Sequence, residues 1–296
     1  MAPQSADKIH AVLDPANIPV IAGTAVTKTD YTNRLSYSID GGTTSEFAAC
    51  GPALKAAGVT KTATVSLDLA ASLALVPLTD TGVKGAGLTS SGVIVKIPIT
   101  ATDYAPYVQQ LKDSGADGVT MILPSGQALQ MLKTIRDQGS NIKVCTPDGT
   151  MKAPALTDLG DAASNVVNTG WIPLTTTSNP SVAEFVKDLK AEEDSGDANA
   201  ALEGMLSSDQ QGWVGPRIIE RLSKTIDGDI TGAKLIAALN ASSSLNADQF
   251  GTIDFTKPGK LQPSLRNTKV YITKWDPATK ERVLLQDGPV DVGAFL

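Results

Sequence analysis

The chain has 296 residues, with 31 acidic and 25 basic side chains and a formal net charge of −6. That length accommodates two domains of about 150 residues each, and no apolar run reaches the roughly 18 residues of a membrane span. The acidic balance, the lack of a basic cluster and an aromatic content of 4% exclude the cationic patch and stacking platform of a nucleic-acid binder.

Residues 1–8 carry neither the basic head nor the apolar stretch of a secretory signal peptide. Ala6–Leu13 reads as the end of a helix, broken by Pro15-Ala-Asn before the strand Ile18–Ala22. Arg34–Ile39 alternates and reads as a second strand. Gly41-Gly42 and the capping-box pattern Thr43-Thr44-Ser45-Glu46 open a helix that runs through Ala57. A strand–helix rhythm follows, with short buried strands at Thr64–Leu67, Val93–Pro98, Gly118–Leu123 and Lys143–Cys145. Between the first two, Leu67–Leu78 is interrupted by Asp68 and Pro77, and the glycine-rich Gly82–Gly92 reads as a plain loop. Tyr104–Lys112 places Tyr104, Tyr107/Val108 and Leu111 on one helical face. The helix from Gln127 does the same with Ala128, Met131/Leu132 and Ile135.

Asn165–Pro173 reads as a further strand, and Asn179-Pro180 opens a helix over Val182–Ala191 with proline in its first turn. Glu192–Ala198 is acidic and small, an exposed turn or crossover. Helices over Ser208–Leu222 and Gly232–Leu239 come next. Strands return at Gly251–Phe255, Lys269–Lys274 and Arg282–Leu285. Alternating strands and helices predict an α/β fold with parallel sheets, in which ligands bind beyond the carboxyl ends of the strands.

Enzymatic chemistry finds little support. His10 is the single histidine and reads as a surface or packing residue. No Gly-x-Ser-x-Gly elbow, Walker loop or dinucleotide fingerprint occurs. One histidine and two cysteines cannot supply a usual zinc set, so no cofactor or metal is expected. Polar groups at strand ends remain. Thr24-Ala25-Val26-Thr27 follows the strand ending at Ala22, where hydroxyls and outward N–H groups suit a ligand carboxylate or form a capped turn. Asp148, between Pro147 and Gly149, is either an ammonium partner or an Asx-turn residue. Ser125 caps the following helix or donates a hydroxyl. Cys50 and Cys145 permit one disulfide without requiring it.

Several segments resemble the branched-chain amino-acid-binding receptors of ABC transporters, within the type I periplasmic solute-binding family. Thr102-Asp103-Tyr104, with the run to Val119, is similar to that family's "(T)DF…V..LK..G.D.V" segment. Gln127 to Gly139 is similar to its next helix, Asn17-Ile-Pro-Val-Ile to the "agIPvi" strand, and Ala53–Lys61 to "A…GVKK". These matches fall in the family's order across nearly the whole chain.

The resemblance implies two Rossmann-like lobes with parallel sheets, joined by three crossovers near Ile39–Thr43, Ala198–Ser207 and Lys257–Leu265. Residues 1–42 and 201–256 would form the first lobe; 43–200 and 266–296 would form most of the second. The family's opening strands have no counterpart before Ala6, so the first lobe is expected to lack its N-terminal part. In function, the resemblance implies a non-enzymatic, extracytoplasmic solute-binding protein that passes a small amino-acid-like ligand to an ABC permease. A ligand-sensing domain, or an enzyme using Asp148 as general base, is the alternative. Thr24, Ala25 and Thr27 would hold the ligand carboxylate and Asp148 its ammonium. Where family aromatics usually cover the ligand this chain has Asp68–Ser72 and Pro124-Ser125, leaving Ser72 and Ser125 as smaller contacts. The same mapping places Cys50 and Cys145 in one lobe, consistent with a disulfide in an exported protein.

Overall fold

The computed structural model describes residues 6–172, 180–197, 200, 207–259 and 262–295. The chain opens with α1 (Ala6–Leu13), β1 (Val20–Ile21), α2 (Lys28–Thr32) and β2 (Ser36–Tyr37). It continues through α3 (Gly42–Ala56), β3 (Lys61–Leu67), α4 (Ala70–Leu73), α5 (Val76–Gly85) and β4 (Thr89–Ile97). Next come α6 (Ala105–Asp113), β5 (Gly118–Ile122), α7 (Ser125–Asp137), β6 (Lys143–Pro147), α8 (Ala153–Leu159) and β7 (Val166–Gly170). Then follow α9 (Pro180–Asp194), α10 (Ser207–Ser223), α11 (Gly232–Ala241), β8 (Leu245–Asn246) and β9 (Thr252–Ile253). The last elements are β10 (Lys269–Asp276), β11 (Glu281–Leu284) and β12 (Val290–Asp291).

These elements form two units, Met1–Thr43 with Thr177–Lys269, and Thr44–Thr176 with Val270–Leu296. The second is built on one sheet in the order β11-β10-β7-β6-β5-β3-β4, with β12 also paired to β10. Strands β3 to β7 are parallel, while β10 runs antiparallel to β7 and to β11. Successive strand residues point to opposite faces, and both faces are apolar and covered by helices. Val119, Met121, Val144 and Val166 pack with α6, α7 and α8 through Val108, Leu111, Met131, Leu132, Ile135 and Leu156. On the other face Cys145 and Val167 meet Cys50, Ala53 and Leu54 of α3. This doubly wound arrangement is the α/β fold that the strand–helix rhythm predicts. No helix among the described residues is long and apolar enough to cross a membrane.

The Gly82–Gly92 segment is not a loop. Gly82 lies inside α5, and a Cβ there would stand 1.8 Å from the Ala48 carbonyl oxygen of α3. A Cβ on Gly51 would in turn stand 2.1 Å from the Gly82 carbonyl. Close helix approach, not chain flexibility, requires these glycines. Gly82→Ala is therefore expected to lower stability by about 3 kcal/mol through overpacking. Gly126→Ala in α7, where nothing lies within 4 Å, should gain about 0.5–1 kcal/mol from helix propensity. Urea denaturation of the two variants measures both effects, and equal midpoints would sink the packing argument.

In the first unit β1 and β2 pair in parallel, and β8 and β9 pair antiparallel. Residues 180–197, expected in the second lobe, group with this first unit. The reason is a contact set on α9: Phe185 meets Trp213 edge-to-face at 5.7 Å, and Trp213 Nε1 donates to Asp188 at 3.0 Å. Arg217 lies 4.1 Å from the Trp213 ring centroid and bridges Glu184 of α9 to Asp248. The change of unit thus precedes α9 rather than following it. Parts of the expected crossover at Ala198–Ser207, together with Pro173 and Asn179, lie outside the described residues.

Candidate functional site

In the first unit, β1 ends in a turn where Ala22 takes a positive φ of 57°. The loop that follows carries Thr24, Ala25 and Thr27. Thr27 caps α2: its hydroxyl donates to Asp30 Oδ2 at 2.9 Å and accepts from Asp30 N at 3.2 Å. The same Asp30 oxygen accepts the N–H groups of Val26 and Thr27 at 3.2 and 2.9 Å. A protein carboxylate therefore already occupies the N–H pair beside α2, a reciprocal capping box. Its partner across the unit is His10, buried between Asp30 at 3.6 Å and Asp14 at 3.4 Å, so His10 is a packing residue.

Ala25 is fully buried, and its carbonyl accepts Thr43 N at 3.3 Å. The N–H groups of Thr24 and Ala25 have no hydrogen-bond partner among the described residues. The Thr24 hydroxyl donates to the Gln211 carbonyl oxygen on α10, and the Gln211 amide donates to Asp40 Oδ2. Asp40 Oδ1 accepts Gly42 N at 2.7 Å and Ser38 Oγ at 3.1 Å. Burial pushes the Asp40 carboxyl up to about 7, against the pull of those donors. Asp40 and Gln211 were not visible as functional residues in the sequence, because 171 positions separate them.

In the second unit, Asp148 begins a single turn of 3₁₀ helix, Asp148–Thr150, directly after β6. Arg282 of β11 lies over this turn and donates to the carbonyls of Asp148, at 3.2 Å, and Met151. Burial pulls the Arg282 pKa down and the neighbouring Asp148 carboxylate pushes it back up. Asp148 therefore faces a protein cation, which sequence order alone does not reveal. Beside it, Thr146 pairs in register with Asn168 of β7. Both are fully buried, and Thr146 Oγ1, Asn168 Oδ1 and Arg282 Nε have no hydrogen-bond partner among the described residues.

Ser72 lies partly buried in α4. Ser125 is exposed in the first turn of α7 and does not cap it: the cap position is Pro124, without a side-chain bond. The helix starts at Ser125, two residues earlier than the capping reading requires, with Pro124 before it at φ −60° and ψ 152°. Cys50 and Cys145 are joined in a disulfide between α3 and β6. Among the described residues no cluster of histidine, cysteine and carboxylate side chains has a metal-holding arrangement.

A family model described as periplasmic binding protein matches residues 2–281. The chain belongs to the periplasmic binding protein family. A Leu/Ile/Val-binding protein homolog of Brucella melitensis is 32% identical over 100 residues, covering 32% of this chain and 25% of that relative. A solute-binding protein of an ABC transporter from R. palustris, in complex with 4-hydroxybenzoate, superposes with a TM-score of 0.73 at 18% identity. That match covers 98% of this periplasmic binding protein and 76% of the other chain. A fatty acid ABC transporter substrate-binding protein from Thermomonospora curvata gives a TM-score of 0.70 at 16% identity, with coverage of 99% and 80%. The solved structures share the fold, and the curated match spans a quarter of its relative's length.

Proposed function

We propose that this chain is an extracytoplasmic solute-binding protein that captures a small organic carboxylate and delivers it to an ABC permease without converting it. The observation that carries this reading is the family match over residues 2–281. The ligands named for the relatives, branched-chain amino acids, 4-hydroxybenzoate and fatty acids, have one chemical group in common, the carboxylate. The loop after β1 offers the matching chemistry, since the N–H groups of Thr24 and Ala25 are unspent among the described residues. A buried disulfide suits the oxidising compartment in which such receptors work.

Asp148 would take the ammonium of an amino acid, and Ser72 and Ser125 would add minor contacts. The Arg282 guanidinium beside Asp148 weakens the field that an ammonium would meet, so acids without an ammonium are candidate ligands alongside amino acids. Calorimetric titration with L-leucine, 4-hydroxybenzoate and octanoate tests the reading. At least one acid should bind about tenfold or more tightly than its neutral alcohol or amide analogue, the worth of a charge-assisted hydrogen bond. Asp148→Ala should then weaken L-leucine at least about tenfold and leave 4-hydroxybenzoate nearly unchanged. Binding of neutral analogues as tight as that of the acids would sink the carboxylate reading.

A further inference from the structure

Thr24, Gln211 and Asp40 form a hydrogen-bond chain running from the loop after β1 into the core of the first unit. An ionised carboxylate can only accept. Asp40 therefore draws the NH₂ of Gln211 toward itself, which turns the Gln211 carbonyl to Thr24 and pulls the Thr24 hydroxyl hydrogen inward. What Thr24 then presents to a ligand is oxygen lone pairs, the wrong polarity for a carboxylate. Protonation of Asp40 reverses every link. Its O–H donates to the Gln211 carbonyl, the Gln211 NH₂ donates to Thr24, and the Thr24 hydrogen is free to point at the ligand.

We propose that Asp40 and Gln211 are positioning residues that set the hydrogen-bond polarity of Thr24, so that capture of a carboxylate at Thr24 takes up one proton at Asp40. This rests on the reading that the loop after β1 meets the ligand carboxylate. The groups that meet the Asp40 carboxylate are the Ser38 hydroxyl, the Gly42 N–H and the Gln211 amide. From the 262–269 segment, the Asn267 amide donates to the Ile39 and Phe250 carbonyls, at 2.9 and 3.0 Å, and not to Asp40. Ionisable groups on adjacent segments are committed elsewhere: Arg266 lies over the rings of Tyr37 and Phe255, and Asp30 takes the N–H groups of its own capping box. No cation among the described residues pairs with Asp40. With burial holding its pKa up near 7, the chain changes polarity over an ordinary working range of pH.

Two measurements on the full 296-residue chain test this. Without ligand, carbon-13 and nitrogen-15 NMR should show the Asp40 carboxyl and the Gln211 side-chain amide shifting with one shared midpoint, and Asp40→Asn should abolish the Gln211 shift. An Asp40 midpoint below about 5, close to the ordinary carboxylate range, or a Gln211 amide indifferent to it, overturns the proposal. With ligand, calorimetry of 4-hydroxybenzoate in buffers of different ionisation enthalpy should register uptake of about one proton at pH 8. The affinity should fall toward about tenfold per pH unit above the midpoint. Asp40→Asn, whose amide can donate to Gln211, should bind with no such slope, and so should Gln211→Met, which leaves Asp40 intact. Binding without proton uptake overturns the proposal. Absence of binding at every pH would overturn the carboxylate reading instead, and the ligand-free NMR still decides the relay.

Discussion

Replacing Cys50 and Cys145 together by alanine is expected to lower the stability of the second unit by about 4–5 kcal/mol. The bond joins positions 95 residues apart, and the entropy that a cross-link removes from the unfolded chain grows with the loop it closes. Both sulfur atoms are fully buried in the cluster of Ala53, Leu54, Val59, Val167 and Ile272. Cutting the bond therefore also loses dispersion contacts that small alanine side chains do not restore. For a unit of this size the loss corresponds to roughly 10–15 °C in melting temperature. Single serine variants should fall further, because each leaves a thiol and a hydroxyl in an apolar pocket. The same burial protects the native bond, so reductant should act only with denaturant present. Guanidinium melts of oxidised and reduced protein with superimposable midpoints would refute the expectation. Because β6 runs from Cys145 directly into the Asp148 turn, the double variant should also increase hydrogen exchange in that turn.

The parts of the fold that could be read in advance are those governed by local periodicity. The face of α7, Ala128, Met131, Leu132 and Ile135, is buried as its spacing requires, and β5 is apolar on both faces because helices cover both. Elements whose stability comes from elsewhere were hidden. Strand β4 is an edge strand with an exposed Thr89–Ser90 start, so its first half shows no apolar run. Gly82 reads as a breaker, yet it is placed by the approach of α3 to α5. The five residues of α2 are polar and are held by the Thr27–Asp30 box, not by propensity. Among the candidate residues, Thr24 and Asp148 were legible as strand-end positions, where ligand chemistry concentrates in α/β folds. Gln211, Asp40 and Arg282 were not, since hydrogen bonds across 134 to 187 positions leave no trace in local sequence.

Asp40→Asn should stabilise the protein above neutral pH and have little effect in acid. The carboxyl is fully buried, and its pKa is raised from 3.8 to about 7, chiefly by desolvation, while the Gly42 and Ser38 donors pull the other way. In the unfolded chain the group ionises near its ordinary value, whereas the folded protein keeps the proton to a higher pH. Below about pH 4 both states are protonated and this group imposes no penalty. Between about pH 4 and 7 the unfolded state alone releases the proton, so stability falls as pH rises. Above about pH 7 both states are ionised and the penalty is constant, with a ceiling of about 4 kcal/mol. Asparagine keeps the shape and an acceptor for Gly42 but carries no charge. The stability difference, variant minus natural chain, should therefore climb from near zero at about pH 4 to a plateau above about pH 7, in the direction of a more stable variant. Urea unfolding across that range measures it, with the difference between the two proteins cancelling the other carboxylates. A flat difference would mean that Asp40 ionises equally in both states, and that the Gln211 amide and its companion donors fully offset burial. An opposite slope would make the ionised carboxylate a net stabiliser of the Ser38–Gly42 turn.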